Sequence, residues 1–182
     1  MEKKKYLIST RGKEKGAVNG LTVLSLGDTE FGRPVRITAT VGLGKEGILD
    51  IEREADLSGP LHTKGILILS GFFTERFAQE TPLSLNAKVV FEQTYSEVDG
   101  DSASAAELLA ILSSLTGFSL RQDLAITGSI NQKGGIQAIG GINSKIEGFF
   151  RLCKAHGLTG RQGVILPLSN LSELNLQEEV IQ

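Results

Sequence analysis

After residue 82, strand-like and helix-like segments alternate, and that order limits the fold more than any other feature of the chain. Leu83, Leu85, Ala87, Val89 and Phe91 put an apolar side chain at every second position, the mark of a strand with one buried face. A helix over 103–115, a strand over 124–129, a glycine-rich loop, a helix over 143–156 and a strand over 163–166 follow, with Gly157 placed to cap the second helix. The earlier part reads as β-rich. Residues 21–26 and 35–41 carry β-branched and alternating side chains, Phe31-Gly-Arg-Pro34 reads as a turn or bulge between them, and 48–52 reads as extended. In 64–77, Gly65 and Gly71 weaken a helix, yet Ile68, Leu69, Phe72, Phe73 and Phe77 fall near helical spacing, so this segment is assigned to a helix. The expected class is mixed α/β, or α+β, with small mixed sheets packed by helices. At 182 residues the chain suits one sizeable core, hence a single domain over 1–182.

Composition removes several classes of function. A net charge of −2 gives no reason to expect nucleic acid or an anionic membrane as partner. The basic run Lys3-Lys-Lys5 reads as a solvated tail. The single cysteine, Cys153, rules out an internal disulfide and fits a reducing compartment. It shares an apolar helical stripe with Ile146, Phe149 and Phe150, so packing is expected of it rather than reactivity. The run Ile66-Leu-Ile-Leu69 is far too short to span a bilayer, and a cytoplasmic location is expected.

Chemistry concentrates in two segments. Val98-Asp-Gly-Asp-Ser-Ala-Ser104 sets Ser102 at a turn running into a helix, where outward N–H groups and the helix field favour negative charge. Gly140-Gly-Ile-Asn-Ser-Lys-Ile-Glu-Gly148 sets Lys145 early in another helix. Each has a plainer reading. Ser104 and Glu107 form an S-x-x-E capping box, so the first cluster alone reads as a helix start, and an early-helix lysine alone reads as a solubilising residue. The glycines Gly134, Gly135, Gly140 and Gly141 suggest a phosphate loop, but no G-x-x-x-x-G-K-[ST] occurs, so they read as tight turns bringing the lysine helix against the serine helix.

Taken together, the segments resemble the Lon protease family. Asp99-Gly-Asp-Ser-Ala-Ser104 is similar to the DGDSAS serine motif of its archaeal-type and Lon-like bacterial branches, and Gly140–Gly148 resembles the GG-x-x-x-K-x-x-G lysine motif, with Ser102 and Lys145 43 positions apart. Ile126-Thr-Gly-Ser129 resembles the family's threonine–glycine strand, and Val18-Asn-Gly-Leu21, Phe31-Gly-Arg-Pro34 and His62-Thr-Lys-Gly65 extend the likeness over nearly the whole chain.

The resemblance implies the Lon proteolytic fold (ribosomal protein S5 domain 2-like) and a serine endopeptidase with Ser102 as nucleophile and Lys145 as general base. Thr127 would help orient the lysine amine, while Asp99 and Asp101 would hold or block the loop. Burial near a helix start would lower the lysine pKa from ~10.4 toward ~7–8. Of the two histidines, His156 suits a C-terminal cap and His62, ahead of a helix, a structural role. No metal and no cofactor is expected in this chain; ATP would bind only an AAA+ module of a longer ATP-dependent protease, from which this domain would be excised. Expected partners are unfolded or damaged proteins and further copies in a homo-hexamer, without membrane or nucleic acid. The chain alone would be a weak, ATP-indifferent peptidase. Two other classes compete: a catalytically silent Lon-like fold used as an oligomerisation or interaction module, which generally lacks the Ser–Lys pair, and a related small-molecule kinase, whose phosphate signature is missing here.

Overall fold

The computed structural model describes residues 8–27 and 29–181; the Lys3–Lys5 run, and Tyr6 and Leu7 of the strand-like opening, lie outside them. The elements run β1 (Lys13–Lys15), β2 (Ala17–Leu26), β3 (Thr29–Gly42), β4 (Gly47–Asp50), α1 (Ile51–Glu54), α2 (Pro60–Phe77), β5 (Asn86–Phe91) and α3 (Ser104–Thr116). Then come β6 (Ser119–Arg121), β7 (Leu124–Ile126), β8 (Ser129–Ile130), β9 (Ile136–Gln137), α4 (Ile142–His156), β10 (Gly163–Ile165), a 3-10 segment Leu168–Glu173 and α5 (Glu178–Ile181). Six strands form a mixed sheet in the order β10-β7-β2-β3-β5-β4, and β1–β6 and β8–β9 form two ribbons. This is the mixed α+β architecture expected. No helix among the described residues is long and apolar enough to cross a membrane.

Strand alternation sorts the core into two layers. Val18 of β2, Val35, Ile37 and Ala39 of β3, and Val89 and Phe91 of β5 pack with Leu69 and Phe73 of α2 and Ala106, Ala110 and Ile111 of α3. On the opposite face, Leu21 of β2 and Ala125 of β7 meet Phe149 and Cys153 of α4. Burying a side chain such as Ile37, Leu69 or Leu21 stabilises the fold by ~1.5–3 kcal/mol before entropy is counted. Cys153 is a packing residue, as its stripe implied, and burial pushes its thiol up to about 11.

The sheet is open on one side of β2. That strand pairs with β7 only at Asn19↔Ala125 and Gly20↔Ile126, then continues alongside β3 to Leu26↔Thr29. Among the described residues no ladder joins β2 to the chain leaving β7 beyond Gly20. The two faces communicate there.

Several expectations need correcting. Phe31-Gly-Arg-Pro34 is neither turn nor bulge: it lies within β3, pairing Leu24↔Phe31 through Leu21↔Pro34, and the reversal includes Gly27 at φ +62°. Pro34 is tolerated because β3 meets β5 only from Ile37 onward, leaving that flank without ladder bonds. Gly32 serves close approach instead: a methyl group there would strike the Ser144 backbone, and one on Gly148 would strike the Gly32 carbonyl. The extended reading of 48–52 ends at Asp50, whose Oδ1 accepts from Glu52 N–H at 3.2 Å and caps α1. In 83–91 the ladder starts only at Asn86, although Leu83 and Leu85 still pack on the core. The helix over 64–77 begins earlier, with Pro60 in its first turn. The strand over 124–129 is broken at Thr127 and Gly128, between β7 and β8.

Candidate active site

The serine segment is anchored at both ends. Val98 exchanges backbone bonds with Leu57 and Gly59, each 2.8 Å, and Asp99 Oδ1 accepts from the N–H groups of Leu61 (2.9 Å) and His62 (3.2 Å). Asp99 therefore caps α2, whose own cap residue, Gly59, offers no side chain. Bonds from the backbone of Gly100, and also of His62 and Leu61, hold the Asp99 carboxyl below the usual carboxylate range. Gly100, at φ +95°, turns the chain into the next three residues.

The break in the strand explains how Ser102 is held. Its carbonyl accepts from Gly128 N–H at 2.8 Å and from Thr127 Oγ1 at 3.2 Å, while Ala105 N–H donates to Gly128 O at 3.1 Å. Thr127 N–H still donates to Ile165 O at 3.1 Å, while the Thr127 hydroxyl and the Gly128 backbone clamp the serine loop and satisfy the first turn of α3. This removes the need for the expected capping box. Ala103 is the cap and makes no side-chain cap bond. Ser104 Oγ donates to Asp101 O (2.8 Å) and accepts from Ile130 N–H (3.0 Å), and Glu107 turns into the core beside His62. Asp101 Oδ2 accepts from Ser129 Oγ at 2.9 Å.

Lys145 arrives from the other layer. Gly141, in the left-handed region at φ +66°, starts α4, and Lys145 N–H bonds back to its carbonyl at 3.0 Å. The side chain is 3% exposed and places Nζ 2.9 Å from Ser102 Oγ. Burial pulls the ammonium down to about 8, against the opposing charge of Asp101. α4 lies on the opposite face of the sheet from α3, so the glycines do not bring the two helices together as expected. Gly134, at φ +86°, closes the β8–β9 hairpin, Gly141 starts α4, and Gly135 and Gly140 have no positive φ. The pair meets where the sheet opens between β2 and the end of β7. A cleft of about 470 Å³ there is lined by Thr22 and Leu24 of β2, Glu30 and Arg33 of β3, and Gly140 beside the pair.

The sequence-derived site residues are thus brought together unequally. Ser102 and Lys145 are in contact, and Asp101 is close enough to act on the amine electrostatically. Thr127 reaches the Ser102 carbonyl rather than the lysine amine. Asp99 caps a neighbouring helix. Both histidine rings are engaged elsewhere: His156 Nδ1 lies 3.3 Å from Thr10 Oγ1, and His62, the third residue of α2 rather than a residue ahead of it, is buried edge-on against Phe91. Gly128 and Ser129 hold the loop through groups that a strand-like sequence does not single out.

Residues 91–181 match the Lon protease (S16) C-terminal proteolytic domain. Over 178 residues the chain is 44% identical to a protein of Escherichia coli (strain K12) named as a Lon protease homologue, covering 97% of this chain and 30% of that protein. A Haemophilus influenzae protein of the same name is 42% identical over 95% of this chain and 29% of its own length. An archaeal Lon protease of Methanocaldococcus jannaschii is 32% identical over 93% of this chain and 26% of its own. The chain spans less than a third of the length of these curated relatives.

Proposed function

The chain belongs to the Lon protease (S16) family of serine peptidases, and from that premise we propose that it cleaves peptide bonds with Ser102 as nucleophile and Lys145 as general base. The 2.9 Å contact between the serine hydroxyl and a buried amine carries this reading. A serine hydroxyl needs a base to become nucleophilic, and a desolvated lysine can supply one near neutral pH. Neutral Lys145 takes the Oγ proton as Oγ attacks the scissile carbonyl, and returns it to the departing amine. Water then attacks the ester with Lys145 again as base. The oxyanion would develop beside the start of α3, where helix N–H groups and the helix field favour negative charge. Thr127 and Gly128 fix the Ser102 backbone during both steps. In the longer protein we assign this domain the peptide-cutting step of an ATP-dependent Lon-like protease acting on unfolded or damaged chains. Nucleotide would bind outside these residues, and the working form would be a homo-hexamer in the cytoplasm.

A serine-directed phosphonylating probe tests the assignment. Mass spectrometry should place the adduct on Ser102 in the folded chain and find none in Lys145→Met. A folded chain that stays unlabelled where an active Lon-type control reacts would leave only the silent-module reading.

The pH profile is a second expected result. With the amine pulled down to about 8, cleavage of a short peptide should climb about ten-fold per pH unit below that value and level off above it. Asp101 holds the proton on Lys145, so Asp101→Asn should move the midpoint to lower pH. An optimum near pH 5, lost on the alkaline side, would instead identify a carboxylate base and rule out Lys145.

A further inference from the structure

Behind the first turn of α3, four ionisable side chains meet in the core: Asp50 from the end of β4, Glu52 from α1, His62 from α2 and Glu107 from α3. None is more than 3% exposed. Two of the carboxylates are oriented by backbone. Asp50 Oδ1 accepts from Glu52 N–H at 3.2 Å, and Glu52 Oε1 accepts from Phe91 N–H at 2.8 Å. Their other oxygens, Asp50 Oδ2 and Glu52 Oε2, are buried without a hydrogen-bond partner, as are His62 Nε2 and Glu107 Oε1. Ligand atoms of Asp50, Glu52 and His62 all lie within 4.8 Å of one another. His62 Nε2 stands 3.1 Å from Asp50 Oδ2 and 3.6 Å from Glu107 Oε1. Among the described residues no lysine or arginine pairs with any of the three acids.

We propose that Asp50, Glu52 and His62 bind one divalent transition ion of the zinc type, with Glu107 packed beside them. Imidazole nitrogen with carboxylate oxygens is a zinc-type donor set. Tetrahedral bonds of ~2.0–2.1 Å hold ligand atoms about 3.3–3.4 Å apart, close to the 3.1 Å between His62 Nε2 and Asp50 Oδ2. One carboxylate oxygen tied to backbone and the other left free is the usual arrangement for orienting a ligand. With all three ligands buried a protein substrate has no route to the ion, so the ion would be structural. It would join β4, α1 and α2. His62 N–H also bonds Asp99, so the ion would brace the base of the Ser102 loop. The inference does not depend on the roles of Ser102 and Lys145.

The test titrates Co2+ into the chelator-treated 182-residue chain, follows the visible d–d bands, displaces Co2+ with Zn2+ and measures Tm with and without Zn2+. Tetrahedral bands saturating at one equivalent, loss of those bands on Zn2+ addition, and a higher Tm with Zn2+ are expected. Glu52→Gln and His62→Gln should abolish the bands, with circular dichroism reporting whether each variant remains folded. If His62→Gln does not fold, Asp50→Asn, which keeps the cap oxygen on Glu52 N–H, should still weaken Co2+ binding several-fold. A folded chain that gives no bands and no Tm shift would show that protons alone occupy the cluster and overturn the proposal. Bands retained in a folded His62→Gln variant would place the ion elsewhere and overturn it equally.

Discussion

Ser102→Ala should lower peptide hydrolysis by ~10³-fold or more and leave the fold intact. The structural work of this residue is done by its carbonyl, bonded to Gly128 and Thr127, and alanine keeps that carbonyl. Its hydroxyl accepts from Lys145 Nζ and does no such backbone work. Lys145→Met should be as damaging to activity but should stabilise the protein. The sign follows from the two protonation states. The amine titrates at about 8 when folded, against 10.5 for the free side chain, so the unfolded chain binds more protons between those values and stability rises with pH across that window. At pH 7 both states are charged and the buried ammonium costs up to roughly 3 kcal/mol; that cost falls between pH 8 and 10.5 and is gone only well above 10.5. Methionine removes it, so the urea midpoint should rise at pH 7 and the advantage should shrink toward pH 10. Near-wild-type activity in either variant would end the Ser–Lys assignment.

Gly148→Ala should destabilise the chain by ~3 kcal/mol or more, and activity should fall with it. Overpacking costs ~1–3 kcal/mol when neighbouring side chains can yield. Here the added methyl meets the backbone of Gly32 in β3, which cannot rotate aside. Lys145 sits one turn earlier on the same helix, so a displaced α4 also withdraws the amine from Ser102. Gly140→Ala is the control, since nothing lies within 4 Å of a methyl group there and its stability should barely change. Equal urea midpoints for the two variants would mean that α4 does not rest on β3.

Periodicity located most elements because burial on one face of a strand or helix is written directly into the spacing of apolar side chains. It failed where a glycine or serine is chosen for a partner remote in sequence. Gly32 resembles a turn glycine until α4 is seen lying on it. Thr127 and Gly128 resemble plain strand residues until the Thr127 hydroxyl and the Gly128 N–H are seen holding the carbonyl of Ser102. Ser104 and Glu107 satisfy a local capping rule, yet α3 receives its cap from the chain near residue 128, which leaves Glu107 to face His62. Ser102 and Lys145 were legible only as a pair of motifs. The low-dielectric setting that pulls the amine down to about 8 depends on the packing of both layers, which no single segment encodes.

The gap between β2 and the end of β7 has a consequence for the life history of the molecule. Hydroxyl and amine are carried by opposite layers and touch only through that gap, so neither layer possesses the chemistry by itself. A nascent or half-unfolded chain would carry both residues yet remain inert. Competence would appear only once the two halves have docked, which would spare the protein and its neighbours from premature cutting during synthesis.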